Sequence, residues 1–124
     1  MRLTRFIGSL AILVGAIAAA GCGCNYQVTT QQPITFTAAG GQGSFAVTAR
    51  PGCQWDADED HNAEDWVKVA SGIITGNGSK TFNVLSDVQQ PNVPLPRSGF
   101  INIYKQGTGS GVGTVVTKVE IQQK

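Results

Sequence analysis

Six of the eight carboxylates and the only histidine lie in one stretch between two tryptophans. It runs Asp56-Ala57-Asp58-Glu59-Asp60-His61-Asn62-Ala63-Glu64-Asp65, so acid–base or metal chemistry has to be sought there first. Asp56, Asp58 and Asp60 alternate like the first three ligands of an EF-hand calcium loop. The sixth position of such a loop needs glycine and here is His61; the twelfth needs a bidentate glutamate and here is Val67. An EF-hand is excluded. A weak, irregular calcium site at Asp56, Asp58 and Asp60 stays open beside the plainer reading, a solvated acidic loop. Catalysis fares worse. His61 has no serine or free cysteine near it in sequence to activate. Paired carboxylates occur only inside that one stretch, where the geometry a glycosidase needs would be fortuitous. Zinc-type Cys and His spacing is absent. The chain reads as non-catalytic and without a cofactor.

A second candidate set lies in Gly99-Phe100-Ile101-Asn102-Ile103-Tyr104-Lys105. In a strand, Phe100, Asn102 and Tyr104 share the face opposite Ile101 and Ile103. If the isoleucines point inward, an amide between two aromatic rings faces out. Such a face suits a sugar, with rings for C–H contact and polar edges for hydroxyls. Trp66 is a candidate rim contact, although a tryptophan that opens a strand belongs more naturally to the core. The plainer reading covers Phe100 and Tyr104 with the 91–97 loop or the 107–113 turn, since single exposed aromatics are common.

The N-terminus has a different chemistry. Arg2 and Arg5 precede an uncharged apolar run from Phe6 to Ala18, which ends in the small residues Ala19-Ala20-Gly21. That order is the layout of a secretory signal, so residues 1–21 are expected to be removed. The run is short for a spanning helix, which needs about 20 apolar residues. Three cysteines then remain, at positions 22, 24 and 53. An odd number in an exported chain asks for a separate fate for one thiol. The count resolves if Cys22 is lipidated and Cys24 pairs with Cys53. Ala19-Ala20-Gly21-Cys22 resembles the lipobox of bacterial lipoproteins, except that leucine is usual where Ala19 stands. Gly23 takes the place of the aspartate that retains lipoproteins on the inner membrane, which leans toward the outer membrane. The rival reading is cleavage after Ala20 and release to the periplasm or medium, which leaves a cysteine unpaired.

Removal of residues 1–21 leaves seven basic side chains against eight acidic, a net charge of −1. No basic patch remains to neutralise a row of phosphates, so nucleic acid is not an expected partner. Nor is there a lysine-rich amphipathic stretch, so membrane contact is expected through the lipid anchor only.

The elements that position these residues follow a period of two. Ser44–Ala49 places Phe45, Val47 and Ala49 on one face, and Pro51-Gly52 ends it. Further strands are expected at Cys53–Trp55, Trp66–Val69, Thr81–Leu85, Gly99–Lys105 and Thr114–Gln122. Tyr26–Val28 and Ile34–Phe36 make a split first strand, interrupted by Pro33 as suits an edge. About seven strands in roughly 100 residues predict one all-β, immunoglobulin-like sandwich over residues 22–124. A Cys24–Cys53 bridge would tie its first strand to its third, with Trp55 on the same face as Cys53.

The motifs Cys24-x-Tyr26-x-Val28, Gly40-Gly41-x-Gly43-Ser44, Gly52-Cys53-x-Trp55, Asp65-Trp66-Val67-x-Val69, Gly76-Asn77-Gly78-Ser79, Arg97-Ser98-Gly99-x-Ile101-x-Ile103 and Val119-x-Ile121-Gln122-Gln123 resemble, in this order, the BACON domain. The name means Bacteroidetes-associated carbohydrate-binding, often N-terminal. The resemblance spans nearly all of residues 24–124 and implies the same sandwich and an extracellular glycan as ligand. Two departures stand out: a longer, acidic connection between Trp55 and Trp66, and aromatic residues at positions 100 and 104. The expectation is an exported, lipid-anchored binding module for a polysaccharide or glycoprotein. The alternative is a structural or protein–protein component of an envelope assembly, with another envelope protein as partner.

Overall fold

The computed structural model describes residues 23–106 and 113–124; the expected signal, Cys22 and most of the 107–113 turn lie outside them. Among the described residues there are nine strands: β1 (Gln27–Val28), β2 (Ile34–Phe36), β3 (Gly41–Thr48), β4 (Gln54–Glu59), β5 (Val67–Val69), β6 (Ile74–Thr75), β7 (Gly78–Val84), β8 (Arg97–Lys105) and β9 (Thr114–Gln123). They build two sheets, in the order β1-β3-β7-β5 and β2-β9-β8-β4-β6. All pairings are antiparallel except that of β2 with β9. The architecture is an all-β, immunoglobulin-like sandwich. No helix among the described residues is long and apolar enough to cross a membrane.

Alternation along the strands supplies the core. Phe45 and Val47 of β3 and Phe82 and Val84 of β7 meet Trp55 and Ala57 of β4, Ile101 and Ile103 of β8, and Val119 and Ile121 of β9, all of them buried. Trp55 packs beside Phe45, with 6.4 Å between ring centroids, and its indole N–H donates to the Gly76 carbonyl at 2.9 Å. Trp66 is also core, 1% exposed, under the Arg97 guanidinium at 4.8 Å.

The expected split first strand is real, and its halves join different sheets. β1 pairs with β3 and β2 with β9, so the chain crosses between layers through Thr29–Pro33. Proline, with no N–H to leave unpaired, suits that crossing. β6 was not expected, since two residues carry no readable period. The Cys24–Cys53 bridge is present, with 5.8 Å between Cα atoms. It fastens the segment before β1 to the end of the sandwich at which β4 begins.

At the opposite end, Arg97 and Gln123 form a buried polar clasp. The Arg97 Nε donates to Gln123 Oε1 at 2.6 Å, and its other nitrogens donate to the carbonyls of Gln90, Val93 and Leu85. Gln123 Nε2 donates to the Thr37 and Leu85 carbonyls at 3.0 Å. Burial lowers the proton affinity of the Arg97 guanidinium, and the charge of Asp87 partly opposes that. These bonds hold the 85–96 segment, the turn after β2 and the last strand together. Gly99 permits a close approach here, because a Cβ on it would lie 2.6 Å from that of Ala63.

Candidate binding face

The stretch expected as an acidic loop is strand through Glu59. The signal was present as alternation: Trp55 and Ala57 face the core while Asp56 and Asp58 face out. Asp60 to Trp66 then turn, with Ala63 N–H on the Asp60 carbonyl at 2.8 Å and Val67 N–H on the Ala63 carbonyl at 2.8 Å.

Register decides what the two candidate sets do together. β4 pairs with β8 so that Asp56 lies beside Tyr104 and Asp58 beside Asn102. On the other flank of β8, Phe100 lies beside Glu120 and Asn102 beside Lys118. Directly paired residues of antiparallel strands point to the same side. The carboxylates and the aromatic–amide set, more than forty positions apart in sequence, therefore share the outer face of the five-stranded sheet. Tyr104, Asp56, Asp58, Ser71 and Gln106 line a cleft of about 480 Å³, with Ala57 and Val69 as its apolar part.

Asn102 is 7% exposed and donates from Nδ2 to Asp60 Oδ1 at 3.1 Å, while its buried Oδ1 has no protein partner. Phe100, 38% exposed, has the Lys118 ammonium 5.2 Å from its ring centre. Tyr104 is half-buried. Trp66, the fourth candidate, lies in the core and leaves this face entirely.

Asp56, Asp58, Glu59 and Asp60 already have local roles. Asp56 Oδ1 lies 2.7 Å from the buried Lys80 ammonium and accepts from the Ala57 N–H at 2.7 Å. Asp58 Oδ1 accepts from the Glu59 N–H at 3.0 Å. The ladder to β8 uses even-numbered residues of β4, as the Gln54 carbonyl and the Asp60 N–H mark at its two ends. The N–H groups of Ala57 and Glu59 thus face the open edge, where the two aspartates cover them. Glu59 Oε2 crosses to the other sheet and accepts from the Val69 N–H at 3.1 Å. Burial, with Asp58 close by, raises the pKa of Glu59 above the usual carboxylate range. Asp60 is lowered, because Asn102 and the Asn62 N–H hydrogen-bond to its charged form.

His61 sits on the 60–66 turn, outside the cleft, with Nδ1 3.2 Å from Glu64 and both side chains exposed. Asp56, Asp58 and Asp60 are spread over strand and turn. Among the described residues no three His, Cys, Asp or Glu side chains are grouped as a metal site.

No protein-family model matches the chain, and no curated protein matches it in sequence. Similar solved structures exist. A Bacteroides ovatus GH5 xyloglucanase, solved with a XXXG heptasaccharide, superposes with a TM-score of 0.54 at 16% identity over 79% of this chain. The chain spans only 18% of that enzyme. The C. elegans MSP family member WR4 gives 0.48 at 12% identity, covering 79% of this chain and 94% of its own. The periplasmic chaperone SfaE gives 0.47 at 10% identity, covering 80% and 57%. At these identities the likeness is one of fold.

Proposed function

We propose that the protein is an exported, lipid-anchored, non-catalytic module that binds an extracellular glycan on the outer face of its five-stranded sheet. One observation carries the reading: Tyr104, Asp56 and Asp58 line one cleft, and Asn102 is paired with Asp58 beside it. An aromatic wall with amide and carboxylate acceptors near it matches a sugar ring, which offers C–H groups on its faces and hydroxyl donors on its rim. The hydroxyl and amide of Ser71 and Gln106 add further polar contacts. The BACON-like motifs and the fold likeness to part of a xyloglucanase support the same class of ligand, and they make xyloglucan oligosaccharides the first probe. The anchor would be Cys22, with Cys24 and Cys53 bridged.

The test is a glycan-array screen of residues 23–124, with and without calcium, repeated with Tyr104→Ala. Binding lost in the variant supports the reading, and a calcium-dependent signal extends it to Asp56, Asp58 and Asp60. A blank array for the folded domain rejects it.

A further inference from the structure

We infer that the end of the sandwich carrying Cys24 is a membrane-contact surface, on which Arg50 and Lys105 meet anionic headgroups while Ile73, Val115 and Val116 enter the interface. The inference rests on the lipid-anchor reading above and adds the pose of the domain.

Geometry comes first. Cys24 is pinned to Cys53, and its carbonyl accepts from the Arg50 N–H at 3.1 Å. Cys22 stands two residues earlier, a reach of about 7 Å for an extended chain. Acyl chains on Cys22 therefore leave this domain almost no linker, and the end holding residue 24 must lie at the bilayer. That end is defined by register: Trp55 pairs with Lys105, Lys105 with Thr114, Gln54 with Thr75, and Val47 with Gly78.

Charge is distributed to match. Arg50 and Lys105 are exposed there, and among the described residues no carboxylate lies at that end. The nearest one, Asp56, is neutralised by Lys80 at 2.7 Å. Asp60, Glu64, Asp65 and Asp87 lie toward the other end, where Asp87 N–H bonds the Ala38 carbonyl and the 60–66 turn reaches Gly99. An anionic surface attracts the first end and repels the second. Three of the five exposed large apolar side chains among the described residues lie at the first end, while Val88 stands beside Asp87 at the other and Phe100 on the face of β8. Ile73 adjoins β6 at 55% exposure, and Val115 and Val116 follow the Lys105–Thr114 pair at 41% and 40%. Apolar side chains rimmed by cations suit the headgroup–acyl boundary. Gln106 and Gly113 of the cleft lie at this end, and its Asp58 lies farther along β4.

The full chain, matured by a host that acylates lipoproteins, is incorporated into phosphatidylcholine vesicles with and without phosphatidylglycerol. Lysine reactivity toward an acylating reagent is then read by mass spectrometry, with Lys68, Lys118 and Lys124 as internal references. Lys105 should lose reactivity about fivefold in anionic vesicles relative to neutral ones, the effect of one basic side chain near such a surface. High salt and Arg50→Glu should both reverse part of the loss. Equal reactivity of Lys105 in the two vesicles, on a protein whose Cys22 peptide carries acyl mass, overturns the pose and leaves the anchor standing. A Cys22 peptide without acyl mass overturns both.

Discussion

At the residue scale, Asn102 has the least settled hydrogen bonding on the candidate face. Its amide nitrogen is used by Asp60 while its buried oxygen has no protein partner. An unpartnered buried acceptor costs about 1–3 kcal/mol. Asn102→Leu should therefore destabilise the fold less than the loss of a satisfied buried amide, yet still abolish glycan retention. Chemical denaturation beside affinity electrophoresis checks both halves. The neighbouring carboxylates should give opposite pH responses. Asp60 has its pKa lowered in the folded state, so its stabilisation is present above the usual carboxylate range and is lost as pH falls through the folded value. Glu59 is raised, so its contribution is full below that range and is lost as pH rises through its folded value. Asp60→Asn should flatten the acid-side loss of stability, and Glu59→Gln the loss on rising pH. Denaturation midpoints followed from acid to neutral pH would separate the two.

At the element scale, β4 is where local chemistry and tertiary pairing meet. Its half-exposed alternation was readable in Trp55-Asp56-Ala57-Asp58, but the density of acidic residues disguised a strand as a loop. The reason those aspartates are tolerated is visible only in three dimensions: they cover the edge N–H groups of Ala57 and Glu59 and hold Lys80. Exposed strand edges invite pairing with other chains, and charged side chains blunt them. Asp56→Ala is expected to cost about 1–3 kcal/mol, since it leaves the buried Lys80 ammonium with only the Ala70 carbonyl, whereas Asp58→Ala should cost under about 1 kcal/mol. Thermal denaturation of both variants tests the ranking. The strands themselves were legible from alternation, as β3, β7, β8 and β9 illustrate. The register that sets Asp56 beside Tyr104 was not, because core packing between distant segments decides it. The Arg97–Gln123 clasp was likewise hidden: neither residue type announces burial, and its carbonyl partners come from the 85–96 segment and the turn after β2.

At the scale of the whole molecule, one disulfide and two sheets make a domain with a modest core. The Cys24–Cys53 bridge closes a separation of 29 residues, worth about 3–4 kcal/mol in the chain-entropy account. The Cys24→Ala/Cys53→Ala variant should lose about that much in urea titration, and its first strand should exchange amide hydrogen faster than β3. The arithmetic of three cysteines pointed to this pair, and the fold brings it within bridging distance at one end. Glycan recognition is the claim on which the functional account turns. Amide chemical-shift mapping of residues 23–124 during titration with a xyloglucan oligosaccharide addresses it most directly. The account predicts saturable shifts at Asp56–Asp58 and Asn102–Gln106, absent in Tyr104→Ala. Shifts confined to other surfaces, or none from any neutral oligosaccharide tried, would contradict it.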